Sequence, residues 1–380
     1  MTQPLQLLLA SYGDPLRTAR EAHAQGSPVI ARIGLGIPDE IILAAGGFAT
    51  ALAPRLDQPT PLADAFMDPS EQPELRSLLE QIASSQSRFL SLAVLTAPYS
   101  ALAATIEDLR RVALLPDAAP TSYMEFPAVR GDGARRYAEA RVRDLASRIG
   151  SATGQPVTTE ALRRAIALTN RRREALRTFM AHRRDTAAIS GIEAFGAVGA
   201  ASFLPPAVFT DALDALTASL RSSDRLHGLP RILLVPSSPL THDRAHAAIE
   251  AAGALVIAED DPLGSRAAEP AIREDEDPMR AIADHYLDQL SGTRAFPADR
   301  RLAWFYEEAA RPDVDAVIFY GQEPRYGWDH PAMRDFLDSR GTPSTFIRAD
   351  ARTADGFAQV EAAAIALLQT LPTRETGTTP

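Results

Sequence analysis

Acidic, hydroxyl and basic side chains gather just past the apolar runs in the second half of this 380-residue chain. Glu259, Asp260 and Asp261 follow one run, with Ser265 and Arg266 close behind; Ser237 and Ser238 follow another, and Glu323, Trp328, Asp329 and His330 a third. A carboxylate and histidine set of this kind can move protons or hold a hard cation. The same residue types also cap helices and face water after strands, which is their commoner use, and His330 before Pro331 suits a helix start. In the first half, Gly34 to Glu40 reads as a glycine-containing turn running into a helix, able to cradle a phosphate or a carboxylate. It contains no Gly-x-Gly-x-x-Gly, so a dinucleotide fingerprint is absent and a tight turn is the simpler account. Glu40 is then either a buried functional carboxylate or an ordinary first-turn acid. Eight arginines (163, 164, 171, 172, 173, 177, 183 and 184) stud one helical stretch. They suit a phosphate-bearing ligand such as the 3′-phosphate of coenzyme A, or pairing with some of the 49 acids of the chain. No Gly-x-Ser-x-Gly, Walker loop or His-Glu-x-x-His is present.

The elements that must position these groups follow from apolar patterning. Ile232 to Val235, a Pro/Ser turn, an alanine-rich stretch from His242 to Ala252, Gly253 and Leu255 to Ala258 make one βαβ unit. Both of its strands should be buried and parallel, with ligands expected in the crevice beyond their carboxyl ends. Strands are also expected at Ser27 to Ile33, Phe48 to Ala53, Phe89 to Thr96, Val314 to Tyr320 and Ser344 to Arg348. Leu56 to Pro73, rich in Pro, Asp and Ser, reads as loop, and the first 26 residues are only loosely patterned. Thr158 caps a long basic helix from Thr159 to about Arg184, whose apolar stripe runs through Leu162, Ile166, Leu176 and Phe179. The fold class is α/β: two similar doubly wound domains with parallel sheets, bridged by long helices. The expected division is 1–157, a bridging helix over 158–188, a second α/β domain over 189–371 and a disordered tail over 372–380.

Composition narrows the function classes. With 46% hydrophobic and 23% charged residues the chain can build two cores. A net charge of -10 and a pI near 5.3 argue against a general nucleic-acid binder. No run reaches the roughly 18 apolar residues that span a bilayer, and the start lacks the basic flank of a signal peptide, so the cytoplasm is the expected compartment. There is no cysteine, which removes disulfides, thiol nucleophiles and any iron-sulfur cluster held by thiolates of this chain.

Five stretches, in order, resemble the 2-hydroxyacyl-CoA dehydratase and benzoyl-CoA reductase family. They are Gly36-Ile-Pro-Asp-Glu-Ile-Ile-Leu-Ala-Ala-Gly46, Asn170-Arg-Arg-Arg, Ile189-Ser-Gly-Ile-Glu-Ala, Ser237-Ser-Pro-Leu240 with Glu259 to Arg266, and Val317-Ile-Phe. In that family two related subunits pair and each commonly holds a [4Fe-4S] cluster. The places of the cluster thiolates are filled here by other residues: Gln72-Pro73, Pro98-Tyr99 and Gln322 to Pro324, with Pro262 at a fourth position that often carries cysteine. The hydroxyl-bearing residue common before the Pro-Glu-Glu turn is replaced by Leu35 and Gly36. The resemblance implies a cysteine-free divergent member of the D-component type. It would be a cluster-less subunit beside a cysteine-containing homologue that carries the [4Fe-4S] cluster, shaping a cleft for an acyl-CoA. Glu40 and Glu193 become the catalytic candidates, with Ser190, Ser237, Ser265 and Arg266 as substrate-binding candidates; no metal, nucleic acid or membrane is expected. The alternatives are a stand-alone acyl-CoA binder or enzyme working through carboxylates and His330, and a regulatory or scaffold subunit.

Overall fold

In the computed structural model the apolar runs pair into two four-stranded parallel sheets. The structure describes residues 2–56, 58–221, 224–289, 298–321 and 329–372. The first sheet contains β1 (Val29–Ile33), β2 (Phe48–Ala51), β3 (Leu90–Leu95) and β4 (Thr121–Tyr123) in the order β2-β1-β3-β4. The second contains β5 (Arg231–Pro236), β6 (Leu255–Glu259), β7 (Ala316–Gly321) and β8 (Ser344–Arg348) in the order β6-β5-β7-β8. Each half thus starts at an inner strand, winds to one edge, and returns to the other side. That reversal makes a switch point between β1 and β3, and another between β5 and β7, where a crevice opens at the carboxyl ends.

Alternation along each strand explains the layers, because successive side chains point to opposite faces. From the first sheet, Ile30, Leu92 and Val94 enter one core and Ala31, Ile33 and Leu95 the other. Ile232, Leu234 and Ile318 likewise face one side of the second sheet, with Leu233, Val235 and Val317 on the opposite side. Covering both faces demands near-continuous apolar strands, and these sequences supply them.

Helix Thr159–Thr186 runs from one sheet to the other. It packs on the short helix Asp39–Ala44 of the first half and reaches β6 of the second. Its start is as expected: the Thr158 hydroxyl accepts the Ala161 N–H at 3.2 Å. Two exchanges link the halves further. Helix Gln3–Gly13 packs Leu5 and Leu8 into a core with Phe179, Val198 and Phe209. Helix Pro278–Gln289 lies against helix Asp132–Thr153, with Ile282 and Leu287 in a core with Ile30 and Ile149.

Two stretches differ from their sequence patterns. The first 26 residues hold helices Gln3–Gly13 and Arg17–Ala24, and the expected loop 56–73 holds helix Pro61–Phe66. Tertiary partners decide the latter: both Leu62 and Ala63 N–H groups donate to Glu80 Oε2, at 2.8 and 3.1 Å, so a residue of the next helix caps it. Among the described residues no helix is long and apolar enough to cross a membrane.

Candidate functional site

Glu40 enters the interior because helix Asp39–Ala44 begins immediately behind Pro38, with its first turn turned inward. Its Oε1 accepts from the Thr169 hydroxyl at 2.6 Å and from Arg173 Nη2 at 2.8 Å. Its Oε2 accepts from the Tyr286 hydroxyl at 3.0 Å. Thr169 and Arg173 are four residues apart on the long helix, so they share one face, and Arg173 Nη1 also reaches Thr169 Oγ1 at 2.9 Å. Burial alone would raise the Glu40 pKa; the Arg173 charge and the Thr169 hydroxyl more than offset it and hold the carboxyl at about 2. Glu40 is therefore ionised throughout the neutral range, with both oxygens engaged. Tyr286, buried beside that charge, has its phenol pKa driven well above 10 and stays a neutral donor.

Around this centre lies a second layer. Asn170 Nδ2 donates to the Ile272 carbonyl and to Glu274, both at 2.8 Å, and Asn170 Oδ1 accepts the Ile272 N–H at 2.8 Å. Asn170 thereby pins the segment that leads into helix Pro278–Gln289. Asp39 pairs with Arg172 at 2.8 Å and with Arg32 at 2.9 Å.

Ten residues further along the helix, about 15 Å, Arg183 repeats the device in the second half. It forks onto Glu259 at the end of β6, Nη2 to Oε1 at 2.7 Å and Nη1 to Oε2 at 3.1 Å. His246 Nε2 lies 3.0 Å from Glu259 Oε1, and the Ser265 hydroxyl donates to Oε2 at 2.9 Å. Burial opposes ionisation here too, but the Arg183 guanidinium and His246 hold Glu259 well below the usual carboxylate range. Asp261 behaves oppositely. Burial lifts its pKa to about 7, only partly opposed by the Leu240 and Leu263 N–H groups that donate to it at 2.7 Å. Through that Leu240 bond Asp261 ties the loop after β5 to the loop after β6.

The six residues expected at the site divide accordingly. Glu40 and Ser265 belong to the two buried constellations. Ser190 and Glu193 form a capping box at helix Gly191–Gly199: the Ser190 hydroxyl accepts the Glu193 N–H, and the Glu193 carboxylate accepts the Ser190 N–H. Ser237 lies at the second switch point, its N–H donating to the Tyr320 carbonyl at 2.8 Å. Arg266 pairs with Asp260 and lies over the Trp304 ring, 4.6 Å from its centroid. The loops after β5 and β6 meet as expected; Glu323, Trp328 and the rest of 322–328 lie outside the described residues, as do residues 373–380 of the expected tail. Most of the basic helix is paired: Arg172 with Asp39, Arg173 with Glu40, Arg183 with Glu259 and Arg184 with Glu308. The sequence does not single out Tyr286 or His246, and it marks Asn170 only as part of the Asn170-Arg-Arg-Arg stretch. His246, on the alanine-rich helix Arg244–Ala251, is visible as a polar residue on an otherwise apolar face, but nothing in the sequence points it at Glu259.

The residues at the thiolate places do not fit a cluster. Pro73 opens helix Pro73–Ala83, and Tyr99 lies beside the turn after β1, where Gly34 has no room for a side chain against Thr96. None of these residues offers sulfur. Among the described residues no group of three or more His, Asp or Glu could hold a metal ion.

A model of the family described as "2-hydroxyglutaryl-CoA dehydratase, D-component" matches residues 35–371. The chain is also 30% identical over 208 residues to "Putative dehydratase subunit YjiM" of Escherichia coli (strain K12), an alignment covering 52% of this chain and 54% of that protein. The match therefore spans about half the length of that relative. With the second sheet, the first sheet apart from β1, and the connecting helix inside the matched span, the chain belongs to the 2-hydroxyglutaryl-CoA dehydratase D-component family.

Proposed function

We propose that this chain is a cluster-less subunit of a 2-hydroxyacyl-CoA dehydratase-like or aryl-CoA reductase-like complex. A homologous, cysteine-bearing partner holds the [4Fe-4S] cluster, and this chain helps to shape the acyl-CoA cleft between them. The observation that carries the reading is the retention of the family's architecture across 35–371 in a chain with no cysteine at all. The buried polar constellations add to it. Glu40 and Glu259 are ionised and fully bonded, so they serve as anchors of a rigid frame rather than as proton carriers. Glu193, the other catalytic candidate, is spent on a helix cap. The rim at the carboxyl ends of the strands carries Ser237, the largely buried Asp260–Arg266 pair and the Gly34 turn. Arg266 is the residue in this rim best suited to an anionic coenzyme group.

The test is anaerobic affinity purification from the native host, with assembly mass, iron and acid-labile sulfide measured together. A heteromer with a cysteine-bearing homologue and roughly one tetranuclear cluster is expected. An iron-free assembly without such a partner refutes the pairing. Thermal shift of the isolated chain with acyl-CoA thioesters then decides whether it binds the ligand by itself.

A further inference from the structure

A small cavity of about 180 Å³ lies at the β2 edge of the first sheet, between helix Asp39–Ala44 and residues 201–206 of the second half. Three charged residues line it: Arg32, Arg172 and Asp39. Apart from Ser27, the rest of the wall is apolar or glycine, including Ala49, Ala201 and Pro206. Two guanidiniums therefore face one carboxylate, leaving an excess positive charge in a confined space. Asp39 is almost completely buried, and the two arginines are largely buried as well.

Hydrogen bonding in this trio is incomplete. Arg32 Nε stands 2.9 Å from Asp39 Oδ1, yet both atoms are buried without a hydrogen bond, because their approach is out of line. Arg32 Nη2 reaches only the Ser202 carbonyl, at 3.4 Å. Arg172 Nη1 lies 2.8 Å from Asp39 Oδ2 as an ion pair, and among the described residues Arg172 has no other charged partner. Arg32 Nε is thus a buried donor left without an acceptor, which is costly, and a planar guanidinium is built to meet an oxyanion with two parallel N–H groups. The cavity has room for several waters, but it falls short of the roughly 300–1,000 Å³ of pockets that hold drug-sized ligands.

We propose that this cavity, between Arg32 and Arg172, binds a small oxyanion, inorganic phosphate or a short-chain carboxylate, at a site separate from the acyl-CoA cleft. It joins the two halves of the chain, since Arg32 belongs to the first sheet, Arg172 to the long helix and the opposite wall to residues 201–206. Occupancy would add bonds across that junction.

The test is thermal unfolding of the full chain titrated with phosphate or with acetate, chloride replacing each at constant ionic strength. A saturable upward shift with phosphate only, or with acetate only, supports the site and assigns its ligand class; a shift with both assigns a general oxyanion site. Arg172→Gln is expected to weaken binding at least tenfold, and Ala201→Leu, which fills the cavity without altering charge, to abolish the shift. Asp39→Asn removes the competing carboxylate and should tighten binding severalfold. Arg164→Gln, an exposed change on the same helix, leaves the shift intact. If Arg172→Gln does not fold, Ala201→Leu and Asp39→Asn decide by their opposite directions. No saturable shift with either anion, or shifts that persist in Ala201→Leu, overturn the proposal.

Discussion

The Glu40–Arg173 contact should behave as a buried anchor, and a double-mutant cycle measures that directly. Arg173→Met leaves Glu40 enclosed with only the Thr169 and Tyr286 hydroxyls as donors. Removing one partner of a buried pair costs about 3–5 kcal/mol, because the remaining charge has lost its compensation. Glu40→Gln is milder, since the amide keeps an acceptor for a hydroxyl and Arg173 retains Glu269, 3.8 Å away. In the double variant no uncompensated charge remains. Its stability should therefore recover most of what Arg173→Met loses, giving a coupling of about 2–3 kcal/mol, the upper part of the range for residues in one network. Urea unfolding followed by circular dichroism gives all four free energies, provided the slope stays constant. If Arg173→Met costs under about 1 kcal/mol, or the two losses simply add, the carboxylate is reached by solvent and the anchoring argument fails.

Other outcomes follow from the same geometry. Glu40 titrates at about 2 in the folded chain, against an ordinary glutamate value of 4.5 once unfolded. Its stabilising contribution, of about 3 kcal/mol, is complete above pH 4.5 and lost as pH falls toward 2, so acid unfolding should be shallower in Glu40→Gln. Asp261 has the opposite sign: with a folded pKa of about 7 against 3.8, its contribution is complete below pH 4 and is lost as pH rises to 7. Subtracting the pH-stability curve of Asp261→Asn from that of the wild type should leave a falling slope between about pH 4 and 7 that levels off above 7; a flat difference would mean that Asp261 is not desolvated. Ser190→Ala should cost about 1 kcal/mol through loss of the cap while leaving acyl-CoA affinity unchanged. A loss of affinity without a loss of stability would instead return Ser190 to the ligand-binding set.

The two halves share a design whose consequence lies in the helix between them. Each sheet end supplies one buried carboxylate, Glu40 after β1 and Glu259 at the end of β6, and one helix supplies an arginine to each. A helix tied to both halves in this way holds the two carboxylates at a set separation. That property suits a subunit whose contribution is to shape a cleft.

The amino-acid sequence by itself determined the α/β class, the positions of the main strands and the start of the long helix. These depend on local patterning: unbroken β-branched and leucine runs can only be strands covered on both faces, and Thr158 caps a helix wherever that helix goes. Absence of cysteine was equally decisive, since composition alone removes thiolate ligation. Pairing was beyond its reach. Glu40 could be read as a first-turn acid or a buried one, and the choice rested on Thr169, Arg173 and Tyr286, which lie 129, 133 and 246 residues away. His246 and Glu259, only 13 apart, meet because the crossover helix Arg244–Ala251 packs back onto β6. The short helix Pro61–Phe66 carries too little periodicity to be seen locally and is capped by Glu80 of the next helix. Desolvation and charge compensation are properties of the packed interior, so only the tertiary structure could set Glu40 and Glu259 against buried guanidiniums and Asp261 against the backbone N–H groups of Leu240 and Leu263.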